Sequence, residues 1–267
     1  MKRGKRRRGD VVQTIARAAD LLYWFADNSG PVKFSEICRR FRLSKAVTHR
    51  LLTTLEYKGL IVREASTRAY SLGGGIAKLA THLLYAGDLV SVSRETMHRL
   101  QASLAESITL SIRIDFQRFC IYQLESPLSL RFTLPLGKPQ PLYCGATGKL
   151  LLAMMDDAEI RRYFEAVPLV PLTPTTPTDR TRLLGEIEEV RGAGYATSVE
   201  EADAGGAGVA SPIMGVGSRC LGALGVLGPT ARMLSRGLGE IGKELTPEAR
   251  RISSRLGAAE KPTTVET

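Results

Sequence analysis

The chain has 267 residues, long enough for two domains that each bury a core, and 43% of them are hydrophobic. Lys and Arg number 37 against 27 Asp and Glu, and the net charge of +10 points to an anionic partner, either nucleic acid or an acidic membrane surface. No apolar stretch has the length of a signal-peptide core or a spanning helix, which excludes an integral membrane protein and sets the expectation of a soluble, cytoplasmic one.

The charge is unevenly spread. Residues 1–72 hold 16 basic and 6 acidic side chains, so the rest of the chain is neutral. Six of the 16 lie in the run KRGKRRR from Lys2 to Arg8, too dense in like charge to pack, and residues 1–9 read as a disordered phosphate-gripping arm. Even without that arm, residues 10–72 keep a net charge of +4. The excess therefore belongs to the N-terminal segment as a whole.

From Val11 to Asp27 apolar residues recur at helical spacing (Ile15, Ala18, Ala19, Leu22, Phe25), and Asn28-Ser29-Gly30-Pro31 ends this helix with a left-handed cap. Ser35 is placed to cap a short helix through Phe41, which Arg42-Leu43 breaks. Ser44 then caps a longer helix to about Lys58. On this helix Thr48, Leu51, Leu52 and Leu55 share one face, which pushes Lys45, Ala46, His49, Arg50 and Thr53 to the other. Gly59 stops it. Leu60–Arg63 and Arg68–Leu72 alternate as a small hairpin around the polar turn 64–67, giving a winged helix-turn-helix over 10–73. Gly73-Gly74-Gly75 forms a hinge into a linker helix over 74–88, and a further helix follows from Leu89 to Leu104.

Strand-like runs come next at Thr109–Ile114, Phe119–Leu124 and Leu130–Leu136, and helices near 146–155, 157–165 and 179–192. Strands return at Tyr195–Glu200, Val209–Met214 and Leu221–Leu227. A last helix runs from Pro229 toward Leu256 with a break at Pro247, before a disordered tail over 258–267. Segregated helices and strands predict an α+β domain over 89–257 around a mainly antiparallel sheet.

Cys38, Cys120, Cys144 and Cys220 are too scattered for a zinc cluster and read as reduced, mostly buried hydrophobes. Glu200, Glu201 and Asp203 have no histidines nearby and read as solvent-exposed turn residues rather than a metal site. Gly145–Lys149 is not a phosphate loop, because Tyr143 stands where the first glycine is required and Leu150 replaces the Ser or Thr. No HExxH, GxSxG, Cys/His pair or Walker sequence occurs, so the expectation is neither an enzyme nor a cofactor protein.

Four segments in order resemble the IclR family of bacterial regulators: LSKAVTHRLLTTLEYKGLI at 43–61 closing with YSLG at 70–73, GATGKLLLA at 145–153, RGAGYATSVEEADAGGAGVASPI at 191–213, and LGALGVLGPTARM at 221–233. The resemblance, which runs from about Val11 to Leu256, implies a winged helix-turn-helix, a linker helix used in dimer contact and a GAF-like effector-binding domain. It also implies a repressor or activator of a catabolic operon, acting as a homodimer or homotetramer on a palindromic double-stranded DNA site.

In a helix-turn-helix the second helix enters the major groove. Lys45, Ala46, Val47, His49, Arg50 and Thr53 are thus candidates for base and backbone contact, with Arg50 suited to guanine O6 and N7. Ser35 and Ser44 at helix starts, and Arg63 and Arg68 on the wing, suit phosphates. For the effector the resemblance points to Ala146, Thr147, Ser198, Gly206, Gly208, Gly225 and Leu227, with Lys149 as readily structural. Small side chains at these positions leave a roomier and more apolar site than a small oxo acid needs, which favours an aromatic acid with Phe132 as a stacking partner. The alternative is a C-terminal domain that only oligomerises and binds no effector.

Overall fold

The computed structural model describes residues 12–28, 30–76, 79 and 89–258. The expected basic arm over 1–9, most of the linker helix over 74–88 and all of the tail after Ala258 lie outside these residues. The chain divides into two compact units, 1–85 and 86–267.

The first unit holds helices α1 (Gln13–Asp27), α2 (Phe34–Phe41) and α3 (Lys45–Tyr57) and the hairpin β1 (Ile61–Arg63) with β2 (Tyr70–Leu72). Its core gathers Leu21, Phe25, Val32, Ile37, Leu52, Leu55, Ile61 and Tyr70, one apolar stripe from each helix and the inward residue of each strand. Ser44 caps α3 as expected, its Oγ accepting from the Val47 amide at 3.3 Å. Gly59 at φ +68 ends α3 in a Schellman arrangement, with Leu60 N donating to Leu55 O at 2.9 Å.

Two expectations about caps need correction. Ser35 does not cap α2, because Lys33 holds that position and Ser35 lies inside the first turn. Asn28 is extended (φ −101) rather than left-handed, and its side-chain amide instead donates to Trp24 O at 2.6 Å. The left-handed residue of this region is Arg42 (φ 51), which turns the chain between α2 and α3.

The second unit begins with α4 (Leu89–Leu104) and is built on one six-stranded sheet of β3 (Ser107–Ile114), β4 (Gln117–Leu124), β5 (Pro139–Pro141), β6 (Ala196–Val199), β7 (Gly206–Met214) and β8 (Cys220–Pro229). The order is β5-β4-β3-β8-β7-β6 and every neighbouring pair is antiparallel. One face packs on α4, α8 (Thr230–Arg236) and α9 (Leu238–Arg255) through Met97, Leu100, Ile108, Leu110, Val209, Leu224, Ile241, Leu245 and Ile252. The other face carries α5 (Ala146–Ala153), with α6 (Asp157–Ala166) and α7 (Arg180–Ala193) outside it, over Ala196, Ala210 and Ala223. Those small sheet residues let α5 approach closely, and all eight of its residues are buried.

The expected strand at Leu130–Leu136 does not form, and of this run only Leu136 makes a bridge, to Cys120. Its backbone is held from outside instead, Arg232 Nη2 donating to Leu130 O at 2.8 Å and Leu134 N to Gln123 Oε1 at 3.0 Å. The break in the last helix falls at Gly237 (φ 86), not at Pro247. The buried row Ile241, Leu245, Ala249 and Ile252 carries α9 through the proline, since the packing on β7 outweighs one lost backbone bond.

Trp24, the one tryptophan of the chain, packs on Phe25 and Phe41 and reports on the first unit alone. Urea unfolding followed by its fluorescence is expected to show a loss of about 1 kcal/mol for Ser44→Ala, from the missing cap. For Leu52→Ala, fully buried in the same core, the expected loss is about 2 to 5 kcal/mol, so equal midpoint shifts for the two variants would contradict this packing.

Candidate functional sites

The burial of Thr48, Leu51, Leu52 and Leu55 leaves Lys45, Ala46, His49, Arg50 and Thr53 exposed along the opposite side of α3, as the helical period requires. Val47 is half-buried. His49 Nδ1 and Thr53 Oγ1 lie 3.5 Å apart, a long contact between neighbours on that side. Cys38 Sγ donates to Thr48 Oγ1 at 3.4 Å and so ties α2 to the buried side of α3. Ser35 and Ser44 are exposed, and so are both wing arginines. Arg63 stacks over the Tyr70 ring at 5.4 Å and donates to Arg68 O at 3.4 Å, which holds its side chain along the hairpin.

In the second unit a small pocket, partly open to solvent, lies between the sheet and the start of α5. Ser198, Gly208 and Leu227 fall on one cross-strand row of β6, β7 and β8. With Ala146, Thr147 and Gly206 they line the cavity, so six of the eight expected effector residues come together. Phe132 stands against Gly206, where a Cβ would be 3.0 Å from its ring, but it is not part of the lining. Gly225 lies behind the wall. A Cβ there would meet Thr109 Oγ1 at 2.6 Å and Thr147 Cγ2 at 2.8 Å, so its bareness makes room for two polar residues of the site.

The lining also includes Thr109 and Arg118, which the sequence reading did not single out, and Asp203, which it took only for a solvent-exposed turn residue. Arg118, on β4, is 2% exposed. Its Nη1 donates to Thr147 Oγ1 at 3.0 Å and its Nε to Pro141 O at 3.3 Å, while Nη2 lies beside Gly145. It makes no ion pair among the described residues. Burial pushes its pKa down, against the opposing charges of Cys144, Cys120 and Asp203. A guanidinium stays protonated even so, which leaves a desolvated positive charge with two neutral acceptors at the cavity wall. A strand pattern signals only that such a residue faces inward, and an Arg within QRFCIYQL carries no further mark.

Lys149 is structural. Its ammonium reaches Glu186 at 2.7 Å and Glu201 at 2.5 Å. Glu201 is buried rather than solvent-exposed as expected, and it also accepts from the Gly145 amide at 3.0 Å, capping α5. Burial raises the Glu201 pKa, and the Lys149 charge and the Gly145 amide only partly offset this. At Glu186 burial works in the same direction, but the hydrogen bonds and charges of Lys149 and Arg182 outweigh it and hold the carboxyl below its usual range. All four cysteines are free, Cys38 and Cys220 being half-buried. Burial pushes the Cys144 and Cys220 thiols up to about 11.

A helix-turn-helix unit with a basic exposed helix, joined in one chain to an α+β unit with a partly open, mainly apolar cavity, defines a DNA-binding regulator. Residues 14–65 match the IclR helix-turn-helix domain and residues 81–254 match the bacterial transcriptional regulator IclR C-terminal domain, so the chain belongs to the IclR family of DNA-binding transcriptional regulators. It is 27% identical to the HTH-type transcriptional regulator KdgR of Escherichia coli over 95% of this chain and 96% of that protein. The crystal structure of the Thermotoga maritima IclR superposes with a TM-score of 0.76 at 26% identity, covering 91% of this chain and 98% of that one. An IclR homologue from Microbacterium hydrocarbonoxydans, solved with 4-hydroxybenzoate, shares the fold with a TM-score of 0.78 at 23% identity, covering 91% and 98%.

Lys149→Met is expected to cost about 3 to 5 kcal/mol at pH 7, because it leaves Glu201 charged and buried beside its one remaining donor, Gly145 N. A carboxyl whose folded pKa is raised binds its proton more readily in the folded state, so its penalty is present at high pH and is lost as the pH falls. The deficit should therefore shrink between pH 7 and pH 5 in denaturation followed by circular dichroism. A deficit that grows over that range would contradict the buried-charge account.

Proposed function

We propose that this regulator reads DNA through Lys45, Ala46, Val47, His49, Arg50 and Thr53, grips phosphates through Ser35, Ser44, Arg63 and Arg68, and is controlled by an organic acid, aromatic in type. The DNA-reading part is residues 10–73, the linker 74–88 and the effector domain 89–257, with the arm over 1–9 adding phosphate contacts. The observation that carries the effector reading is Arg118. A buried guanidinium with no direct ion pair is costly in a folded domain, and a carboxylate entering the cavity would relieve that cost with a charge-assisted bond.

The carboxylate is assigned to Arg118 with Thr147 and Ala146, and the body of the ligand to the wall formed by Gly206, Gly208, Leu227 and Ser198, with Phe132 at its margin and Gly225 behind it. The mainly apolar lining suits the body of such a ligand, and the Microbacterium homologue was solved with 4-hydroxybenzoate. A dimer or tetramer on a palindromic operator of a catabolic operon follows from the family pattern. No helix among the described residues is long and apolar enough to cross a membrane, which supports a cytoplasmic location.

Fluorescence anisotropy with the DNA upstream of the protein's own gene, at two salt concentrations, tests the first part. Arg50→Ala is expected to weaken specific binding by about 1 to 3 kcal/mol and to leave nonspecific binding nearly as it was. Equal, weak binding of all DNA by both proteins would defeat the recognition-helix assignment. Calorimetry against aromatic and aliphatic acids tests the second part: binding is expected for aromatic acids and should be lost in Arg118→Met. Binding confined to two- and three-carbon oxo acids, or undiminished in the variant, would defeat it.

A further inference from the structure

We propose that Arg42, in the turn between α2 and α3, grips a DNA phosphate at the leading end of α3. This rests on the reading of α3 as the helix that enters the major groove, and adds a contact that fixes how that helix is seated.

The turn is closed on one acceptor, the Arg42 and Leu43 amides both donating to Cys38 O, the second at 3.2 Å. This puts Arg42 at φ 51 and ψ 41, in the position after a helix where glycine is preferred. A Cβ is crowded by the backbone there, so an arginine makes the turn less stable than a glycine would. The side chain returns nothing to the fold. It is exposed, and it makes no hydrogen bond, ion pair or ring contact among the described residues. An unfavourable backbone kept for a side chain that packs on nothing points to a use outside the fold.

The combination recurs once in this unit. Among its described residues the other non-glycine with positive φ is Arg68 (φ 57), exposed in the turn of the wing. Both positions that glycine would fill without strain thus carry a guanidinium, one before α3 in the chain and one after it. In the second unit the corresponding residues are Ala105, Asp115, Glu200 and Ser218, none of them basic.

Arg39 and Arg40, in the last turn of α2, are also exposed and without a carboxylate partner among the described residues. Several exposed arginines of the second unit do have one: Arg131, Arg182 and Arg251 pair with Glu125, Glu186 and Glu248. Positive charge is therefore left uncompensated around the turn, two residues ahead of Ser44, which caps α3. A recognition helix lays its N-terminal residues on the base edges, which brings the phosphates at the rim of the groove to this turn. The forked guanidinium matches a phosphate in charge and shape.

The test uses the full chain in fluorescence anisotropy with two duplexes, the DNA upstream of the protein's own gene and a scrambled sequence of equal length, over a range of salt. Arg42→Gly is expected to bind both about tenfold more weakly at low salt, with a salt slope shallower by about one for each copy bound. Its urea midpoint, followed by Trp24 fluorescence, should equal or exceed that of wild type, because the unfavourable residue is gone. Arg42→Lys, which keeps the charge, should recover most of the binding. Wild-type affinity and slope in Arg42→Gly, or a lysine variant as weak as the glycine one, would overturn the proposal. So would a lower urea midpoint, which would give the side chain a structural role, or a loss confined to the upstream DNA with no change of slope, since a phosphate contact carries no sequence. Arg50→Ala separates this contact from the reading it rests on. If that variant keeps specific binding while Arg42→Gly weakens both duplexes, the recognition-helix assignment fails and the phosphate contact stands. If wild type binds neither duplex, both fail.

Discussion

The buried ion pair between Lys149 and Glu201 is the constraint from which the sensing unit is organised. It joins α5 to the turn after β6, and the same carboxylate caps α5 through the Gly145 amide. Helix and turn are therefore fixed as one piece, and Ala146, Thr147 and Asp203 all belong to the cavity lining. Two charges are neutralised where the fold needs rigidity. Arg118, which donates to Thr147 Oγ1, makes no ion pair among the described residues. Of the two buried cations, one is paired with carboxylates and the other bonds only neutral acceptors.

The N-terminal unit follows a simpler rule. Its core is three helical stripes and the inner face of a short hairpin, and burial of one side of α3 presents the other side to solvent without further device. Arg42 in the left-handed region makes the turn between α2 and α3 where a glycine would do so without strain. Its side chain adds positive charge to an already basic unit, which is a physical reason to keep it there.

The helices of both units were legible because their apolar periods are long and their stop signals strong. The misreadings share a cause. Leu130–Leu136 has the composition of a strand, but a strand needs a partner edge, and here Arg232 and Gln123 hold the backbone instead. Pro247 carries a real local penalty, but tertiary burial of α9 decides where the helix breaks. Glu201 was expected at the surface because three acidic residues near a glycine-rich turn look solvated, and its partner Lys149 is 52 residues away in the chain. Arg118 escaped notice for the same reason, since only the folded sheet brings β4 beside α5.

By itself the sequence determined the two-unit organisation, the basic N-terminal end, the buried and exposed sides of α3 and the family, because each is written in local periods, charge density or contiguous segments. The tertiary structure alone decided which polar groups are paired and which are left over. Pairing depends on distances between residues remote in sequence, and a buried charge reveals its purpose only once its surroundings are complete. Hence Lys149 proved to be a fastening, Gly225 a space-maker, and Arg118 a buried cation in the cavity wall.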